Sequence, residues 1–218
     1  MSINILDFAE PFFTVKYLKD EAQYVVDDKV ILINIDQQPI RIQDQRLGFL
    51  QSVIVTKTAI CDVKGAIVIE RFDNYADESA LFDEVKKTWT LAYDIRKEER
   101  LKGVSHYMSP KANLGDIDLS LYHAGSVPLK VGLHKVHTHC GDIEPREVHT
   151  QIVGIGKMQQ CLERDIDTLY LEELMVPGTT HKPMFDAQGK YPWHQYETIT
   201  PGIFMAIELL PKTSASAN

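Results

Sequence analysis

Six of the eight histidines fall between His134 and His194, and two of them, His137 and His139, stand in the order Val136-His137-Thr138-His139. On a β-strand successive side chains alternate faces, so residues two apart point the same way. If this stretch is a strand, both imidazoles reach one ion, and a metal site on a strand is the first chemistry the spacing predicts. Cys140 follows directly, but no C-x-x-C pair accompanies it and Cys161 falls in a separate apolar run. Neither a thiol nucleophile nor a Cys/His zinc site is expected. Gly154-Ile155-Gly156 lacks the third glycine and the strand-turn-helix setting of a nucleotide fingerprint.

A second cluster lies downstream, where Lys190 to Glu197 packs Tyr191, Trp193, His194 and Tyr196 into one Pro-containing segment. Such a cluster gives a small-molecule pocket apolar walls with a few polar tips, which makes Tyr191 and Trp193 candidate pocket residues. A loop plugging a barrel mouth, or an oligomer contact, would use the same residues. His134 is expected to face away from the metal, and His106 and His123, which carry no motif, are read as structural.

The elements that must position these groups are mostly strands. Apolar runs of strand length, Phe12 to Leu18, Lys29 to Ile35, Ser52 to Ile60 and Ala66 to Phe72, alternate with turn-forming patches such as Asp36-Gln37-Gln38-Pro39. One helix is predicted, from about Asp77 to Lys102. Leu81/Phe82, Val85, Trp89, Ala92 and Ile95 recur at helical spacing, Asp77 or Ser79 caps the start, Gly103 ends it, and Lys86, Lys87, Arg96, Lys97, Glu98 and Glu99 form a solvated face. Strand signals return over Ile117–Tyr122, Leu129–His139, Glu147–Val153, Gly156–Leu162, Thr168–Val176 and Ile203–Leu209. Many short strands at regular spacing predict a sandwich or barrel.

Composition excludes other classes. The 218 residues are 44% hydrophobic and 25% charged, ordinary globular values. Acidic residues outnumber basic ones, 31 to 23, for a net charge of -8 with no Lys/Arg run. Nucleic acid and membrane are therefore not expected partners. The start of the chain meets Asp7 and Glu10 before any long apolar run, so a secretory signal is not expected. Three scattered cysteines predict a reducing cytoplasm.

Gly132-Leu133-His134-Lys135-Val136-His137-Thr138-His139, followed by Glu147, six residues and Gly154, resembles the first motif of the cupin superfamily: Gly, a spacer, H-x-H, Glu, six residues, Gly. Val176-Pro177-Gly178-Thr179-Thr180-His181 approximates the second motif, P-x-G-x-x-H, with Pro177 one residue closer to Gly178, and Ile155 to Met175 lies between. Residues from Cys140 to Arg146 lengthen the usual gap after H-x-H, so Glu144 fits the spacing to His139 whereas Glu147 fits the spacing to Gly154. Glu147 is preferred, because Glu147 and His149 then share a strand face and a loop absorbs the extra residues.

The resemblance implies a mainly β fold, a cupin-type jelly-roll barrel over 111–211. Residues 1–110 would be a β-rich extension with the long helix, packed on the barrel, and 212–218 a disordered tail. It implies His137, His139, Glu147 and His181 as metal ligands. Three imidazoles and a carboxylate suit one divalent transition ion, Fe, Mn, Ni, Cu or Zn. His149 could replace the carboxylate or act as a general base, and His149, His194 and Tyr196 are the candidate proton carriers. The implied function is a metal-dependent enzyme on a small polar molecule, of dioxygenase type in preference to isomerase or lyase, in a homodimer. The alternative is a non-catalytic cupin that captures a ligand such as a sugar or carboxylate.

Overall fold

The computed structural model describes residues 2–75, 77–127, 129, 131–136, 146–188 and 190–210. His137, His139, Cys140, Glu144 and the tail after 210 lie outside the described residues.

The apolar runs of the first third form β1 (Ser2–Leu6), β2 (Thr14–Val26), β3 (Val30–Asn34), β4 (Ile40–Ile42), β5 (Gln45–Leu47), β6 (Ser52–Val55) and β7 (Thr58–Glu70). They make one antiparallel sheet in the order β1-β2-β7-β3-β6, with β4 and β5 attached beside β7. All five residues of β3 are buried. Both its faces are covered, and this is why its sequence is a continuous apolar run instead of an alternation. The single strand expected over Ser52–Ile60 is split between β6 and β7, because Lys57 adopts a left-handed φ of 46° and turns the chain.

The predicted helix over 77–102 is corrected to two short ones, α1 (Glu78–Thr88) and α2 (Ala92–Arg96), with the two-residue strand β8 (Thr90–Leu91) between them. Its start is as expected: the Asp77 carboxylate accepts from the Ser79 N–H. Its end is not, because Trp89 leaves the helix with extended φ/ψ and buries itself against Phe12, edge to face. Pairing of Thr90 and Leu91 with Met108 and Tyr107 then holds the chain extended. Lys97, at φ 56°, closes α2, and Ile95 of the expected apolar stripe is 48% exposed.

The second half supplies β9 (His106–Met108), β10 (Ala112–Asn113), β11 (Ile117–Ala124), β12 (Arg146–Val153), β13 (Gly156–Cys161), β14 (Leu169–Met175), β15 (Trp193–Thr198) and β16 (Gly202–Leu209). One sheet runs β12-β16-β11-β9-β8 with β10 beside β11, and a smaller one runs β14-β13-β15. Of the strand expected over Leu129–His139, the described part forms only a bridge at His134. The aromatic segment near 193 is strand, not loop, because its six residues pair in register with β13.

Period two sorts the side chains of this half into two interiors. Leu119 and Leu121 of β11, Val148 and Ile152 of β12, and Met205 and Ile207 of β16 join Ile31, Ile33, Ile67 and Ile69 in a core between the two large sheets. The alternate residues, Tyr122, Phe204 and Ala206, meet Met158 and Tyr196 of the smaller sheet in a second core. The mainly β, jelly-roll expectation holds. Among the described residues, no helix is long and apolar enough to cross a membrane.

Candidate functional site

Strand alternation turns Glu147 and His149 to the opposite side of β12 from Val148, toward the second core. There they line a narrow chamber of about 40 Å3 together with His134, His194, His106, Tyr122, Arg96 and Arg100. At roughly 10–15 Å3 per water centre, this room takes on the order of three waters or a ligand of a few heavy atoms. Met158, Tyr196, Phe204, Leu101 and Val131 complete the walls.

A chain of three polar groups crosses one side. Glu147 Oε1 is 2.9 Å from His149 Nε2, and His149 Nδ1 is 3.0 Å from His181 Nε2. His181 Nδ1 lies 2.7 Å from the Lys182 carbonyl, which can only accept, so the His181 proton sits on Nδ1 and its Nε2 presents a lone pair. His149 must then donate from Nδ1. Its Nε2 faces a carboxylate oxygen, so the Glu147–His149 contact holds one further proton, on either partner. Burial, with His149 next, pushes the His181 pKa down to about 3 and keeps that ring neutral.

The Pro177-Gly178 turn delivers His181. Gly178 has φ +85°, and a Cβ there would come within 2.6 Å of Ile54, so only glycine fits. The His181 N–H then donates to the His149 carbonyl at 3.2 Å, fixing the two rings side by side.

Two more imidazoles face the chamber with the same internal arrangement as His181. His134 Nδ1 is 2.9 Å from the Gly132 carbonyl, and His194 Nδ1 is 3.0 Å from the Pro192 carbonyl. Each contact puts the proton on Nδ1 and the lone pair on Nε2. A carbonyl or carboxylate holding the second nitrogen is the usual support of a metal-ligating histidine. It is not specific by itself: His123 Nδ1 meets the Gly202 carbonyl at 2.9 Å while the ring stacks on Phe82, away from the chamber.

Of the expected ligands, Glu147 and His181 come together through His149, whereas His137 and His139 lie outside the described residues. Among the described residues, no group of three or more His, Cys, Asp or Glu side chains stands in an arrangement that could hold a metal ion. Pairing with His194 places His134 on the chamber wall. His106 lines the same space, its ring stacked on Tyr122. His194 and Tyr196, two apart on β15, both line the chamber. The Tyr196 hydroxyl donates to Gln151 Oε1 at 3.0 Å, and burial raises its pKa well above the ordinary value, so it is a poor acid near neutrality. Tyr191 is buried behind this wall and accepts from the Glu147 backbone N–H at 2.5 Å. Trp193 alternates to the other face of β15 and is not part of the chamber lining; Lys135 and Arg164 lie over its ring.

The cationic end of the chamber escaped the sequence reading. Arg96, placed on a solvated helix face, is 6% exposed in its side chain, because the chain turns inward around α2. Its Nη2 donates to the Tyr122 hydroxyl and, at 3.0 Å, to Glu208 Oε1. Arg100 donates to Glu98 at 2.6 Å and to the Val131 carbonyl at 3.0 Å. The Arg-x-x-x-Arg spacing was the available signal, but charged residues at that spacing are far more often surface.

Neither protein-family models nor curated proteins match this chain. Solved structures do. One is a cupin 2 conserved barrel domain protein from Leptotrichia buccalis, at 11% identity over 92% of this chain and 85% of that one, with a TM-score of 0.34. A mutant oxalate decarboxylase of Bacillus subtilis matches at 12% identity over 93% of this chain and 69% of its own, TM-score 0.36. A mutant salicylate 1,2-dioxygenase from Pseudoaminobacter salicylatoxidans, in complex with gentisate, matches at 6% identity over 90% and 68%, TM-score 0.37. Likeness at this level assigns neither a reaction nor a metal to this chain.

Proposed function

We propose that this chain is a metal-dependent enzyme of cupin type acting on a small polar molecule, with dioxygenase-type chemistry preferred to isomerase or lyase chemistry. The observation that carries the reading is the common tautomer of His134 and His194, each with Nδ1 on a backbone carbonyl so that Nε2 carries the lone pair; His181 is held the same way, with its Nε2 accepting from His149. Neutral imidazoles and a carboxylate, which Glu147 supplies on the same chamber, are the donor types that a divalent transition ion, Fe, Mn, Ni, Cu or Zn, takes. His137, His139, Glu147 and His181 are the ligand set the motifs imply, and His134 and His194 are further candidates from the chamber. When bound, the ion supplies Lewis acidity and, for a redox-active metal, electron transfer. Glu147 and His149 hold a proton between them at 2.9 Å, and this pair is the candidate acid-base group.

A second reading, a barrel that captures a ligand without metal or catalysis, is favoured by one observation. Glu147, His149 and His181 satisfy one another directly. Elemental analysis by plasma mass spectrometry, on chain purified without tag or chelator, separates the two. Near-stoichiometric metal that is lost in the His137→Ala/His139→Ala double variant supports the enzyme. No metal in either protein supports the binding module.

A further inference from the structure

We propose that Ser52, at the start of β6 in the first half of the chain, is a positioning residue for His181 and through it for His149. The proposal rests on the reading above in that His181 is one of the implied metal ligands and His149 a member of the candidate acid-base pair.

Ser52 reaches across 126 and 128 positions of sequence to the turn that carries His181. Its hydroxyl donates to the Gly178 carbonyl at 2.7 Å, and the Thr180 hydroxyl stands 2.7 Å from that of Ser52 and 2.6 Å from that of Thr150. A carbonyl only accepts, so the Ser52 proton is committed to Gly178, Thr180 donates to Ser52, and Thr150 donates to Thr180. The three hydroxyls form a one-way chain from β12 through the turn to β6, and bonds in such a chain strengthen one another. Ile54, two residues along β6 and on the same face as Ser52, lies against Gly178 where a Cβ would otherwise stand.

On its other side the turn is held by β12. The Gly178 N–H donates to the Gln151 carbonyl and the Gln151 N–H to the Thr179 carbonyl, each at 2.9 Å, and the His181 N–H donates to the His149 carbonyl at 3.2 Å. The turn is thus clamped between β12, which carries Glu147 and His149, and β6, the last strand of the first sheet. A contact that only joined two sheets would need no particular partner. Ser52 instead uses its donor on Gly178 and its acceptor on Thr180, the residues three and one before His181. His181 Nε2 has to meet His149 Nδ1 at 3.0 Å, and a shift of the turn by about 1 Å would break that contact. The first sheet, remote in sequence from every motif residue, thereby sets the place of a ring in the site.

The test is nitrogen-15 NMR of the full chain after EDTA treatment, reading hydrogen exchange at the Gly178 and His181 amides and the Nε2 resonance of the His181 ring. Ser52→Ala is expected to speed exchange at both amides on the order of tenfold, the effect of losing one hydrogen bond locally, and to move the Nε2 resonance toward that of a lone pair without a donor. The amides of Ile67 and Ile207, paired on both sides in the two large sheets, should keep their native rates. Ser52→Thr retains the hydroxyl and should match the native chain in both readings. Thr180→Val cuts the same link from the other end with little change of shape, and it decides alone should Ser52→Ala fail to fold. Exchange that rises equally at Ile67 and Ile207, a His181 ring resonance unmoved by either variant, or a Ser52→Thr chain that behaves as Ser52→Ala would reduce Ser52 to a contact between sheets and overturn the proposal. Metal content before the EDTA treatment separates this from the metal reading. A loosened His181 in a chain that holds no metal sinks that reading and keeps the positioning role, stoichiometric metal with His181 indifferent to both variants does the reverse, and metal that leaves Ser52→Ala faster than the native chain supports the two together.

Discussion

His134 and His194 exchange two backbone hydrogen bonds, at 3.1 and 3.0 Å, and their rings stand 4.3 Å apart on one wall of the chamber. Residues that exchange both bonds across an antiparallel pair sit directly opposite, with side chains on one face. Far apart in sequence, the two are joined by this antiparallel bridge. Each ring is oriented by a carbonyl two residues before it. The chamber therefore has imidazoles on two walls, His134 and His194 on one and His149 with His181 behind it on the other.

If the ion sits among these rings, His194→Ala should weaken metal retention at least tenfold; the ring's contacts with Tyr191 and His134 are lost too, but the pairing of β15 with β13 is backbone and keeps the barrel folded. Metal content after dialysis, with far-ultraviolet circular dichroism as the folding control, is the measurement. Undiminished metal would limit His194 to positioning or proton transfer.

Glu147 and Glu144 compete for the carboxylate position; Glu147 stands 2.9 Å from His149, and Glu144 lies outside the described residues. Glu147→Gln is expected to lower metal retention more than Glu144→Gln. The opposite ranking in the same dialysis assay would move the carboxylate to the segment outside the described residues.

Acid should destabilise the fold early. Burial first of all lowers the pKa of His123 from 6.5 to about 4, and that of His106 from 6.5 to about 3. As pH falls through 6.5 the unfolded chain takes up protons that the folded chain refuses, so stability is complete above about 6.5 and declines down to about 4 for His123 and about 3 for His106. His123 contributes roughly 3 kcal/mol at most to this decline. Urea unfolding at pH 7.5 and 5.0 checks it: the native chain should lose stability between them and His123→Phe should lose less. A flat native profile would contradict the assignment.

Glu208 is buried and accepts from Arg96 at 3.0 Å and from Lys111 at 2.5 Å. Glu208→Gln keeps the shape but removes the carboxylate paired with buried Arg96, while Lys111 keeps Asp118 at 3.5 Å, and a loss of about 3 kcal/mol is expected. Chemical denaturation measures it. A change under about 1 kcal/mol would mean that water already screens the pair.

Gly154→Ala should fail for a backbone reason. Its φ is +73°, and a Cβ would come within 2.2 Å of the Pro201 carbonyl oxygen. Strain and clash together predict a loss of at least about 2 kcal/mol, read as a lower melting temperature or loss of soluble protein.

Local patterning carried much of this protein. Alternating apolar residues specify strands, and the same period puts Glu147 and His149 on one face of β12 because that relation lies within a single strand. The glycine at 154 and the Pro177-Gly178 turn before His181 are also legible locally, since left-handed φ and close backbone approach favour one residue type. What closed around them is not local. Helical spacing continues past Thr88, yet Trp89 finds Phe12 and the helix ends. His134, His106, Tyr122, Arg96 and Arg100 meet only because sheet order, register and the turn at Lys97 bring separate elements to one chamber. Periodicity determines which side of an element a residue takes; what stands across from it is decided by how the sheets pair and close.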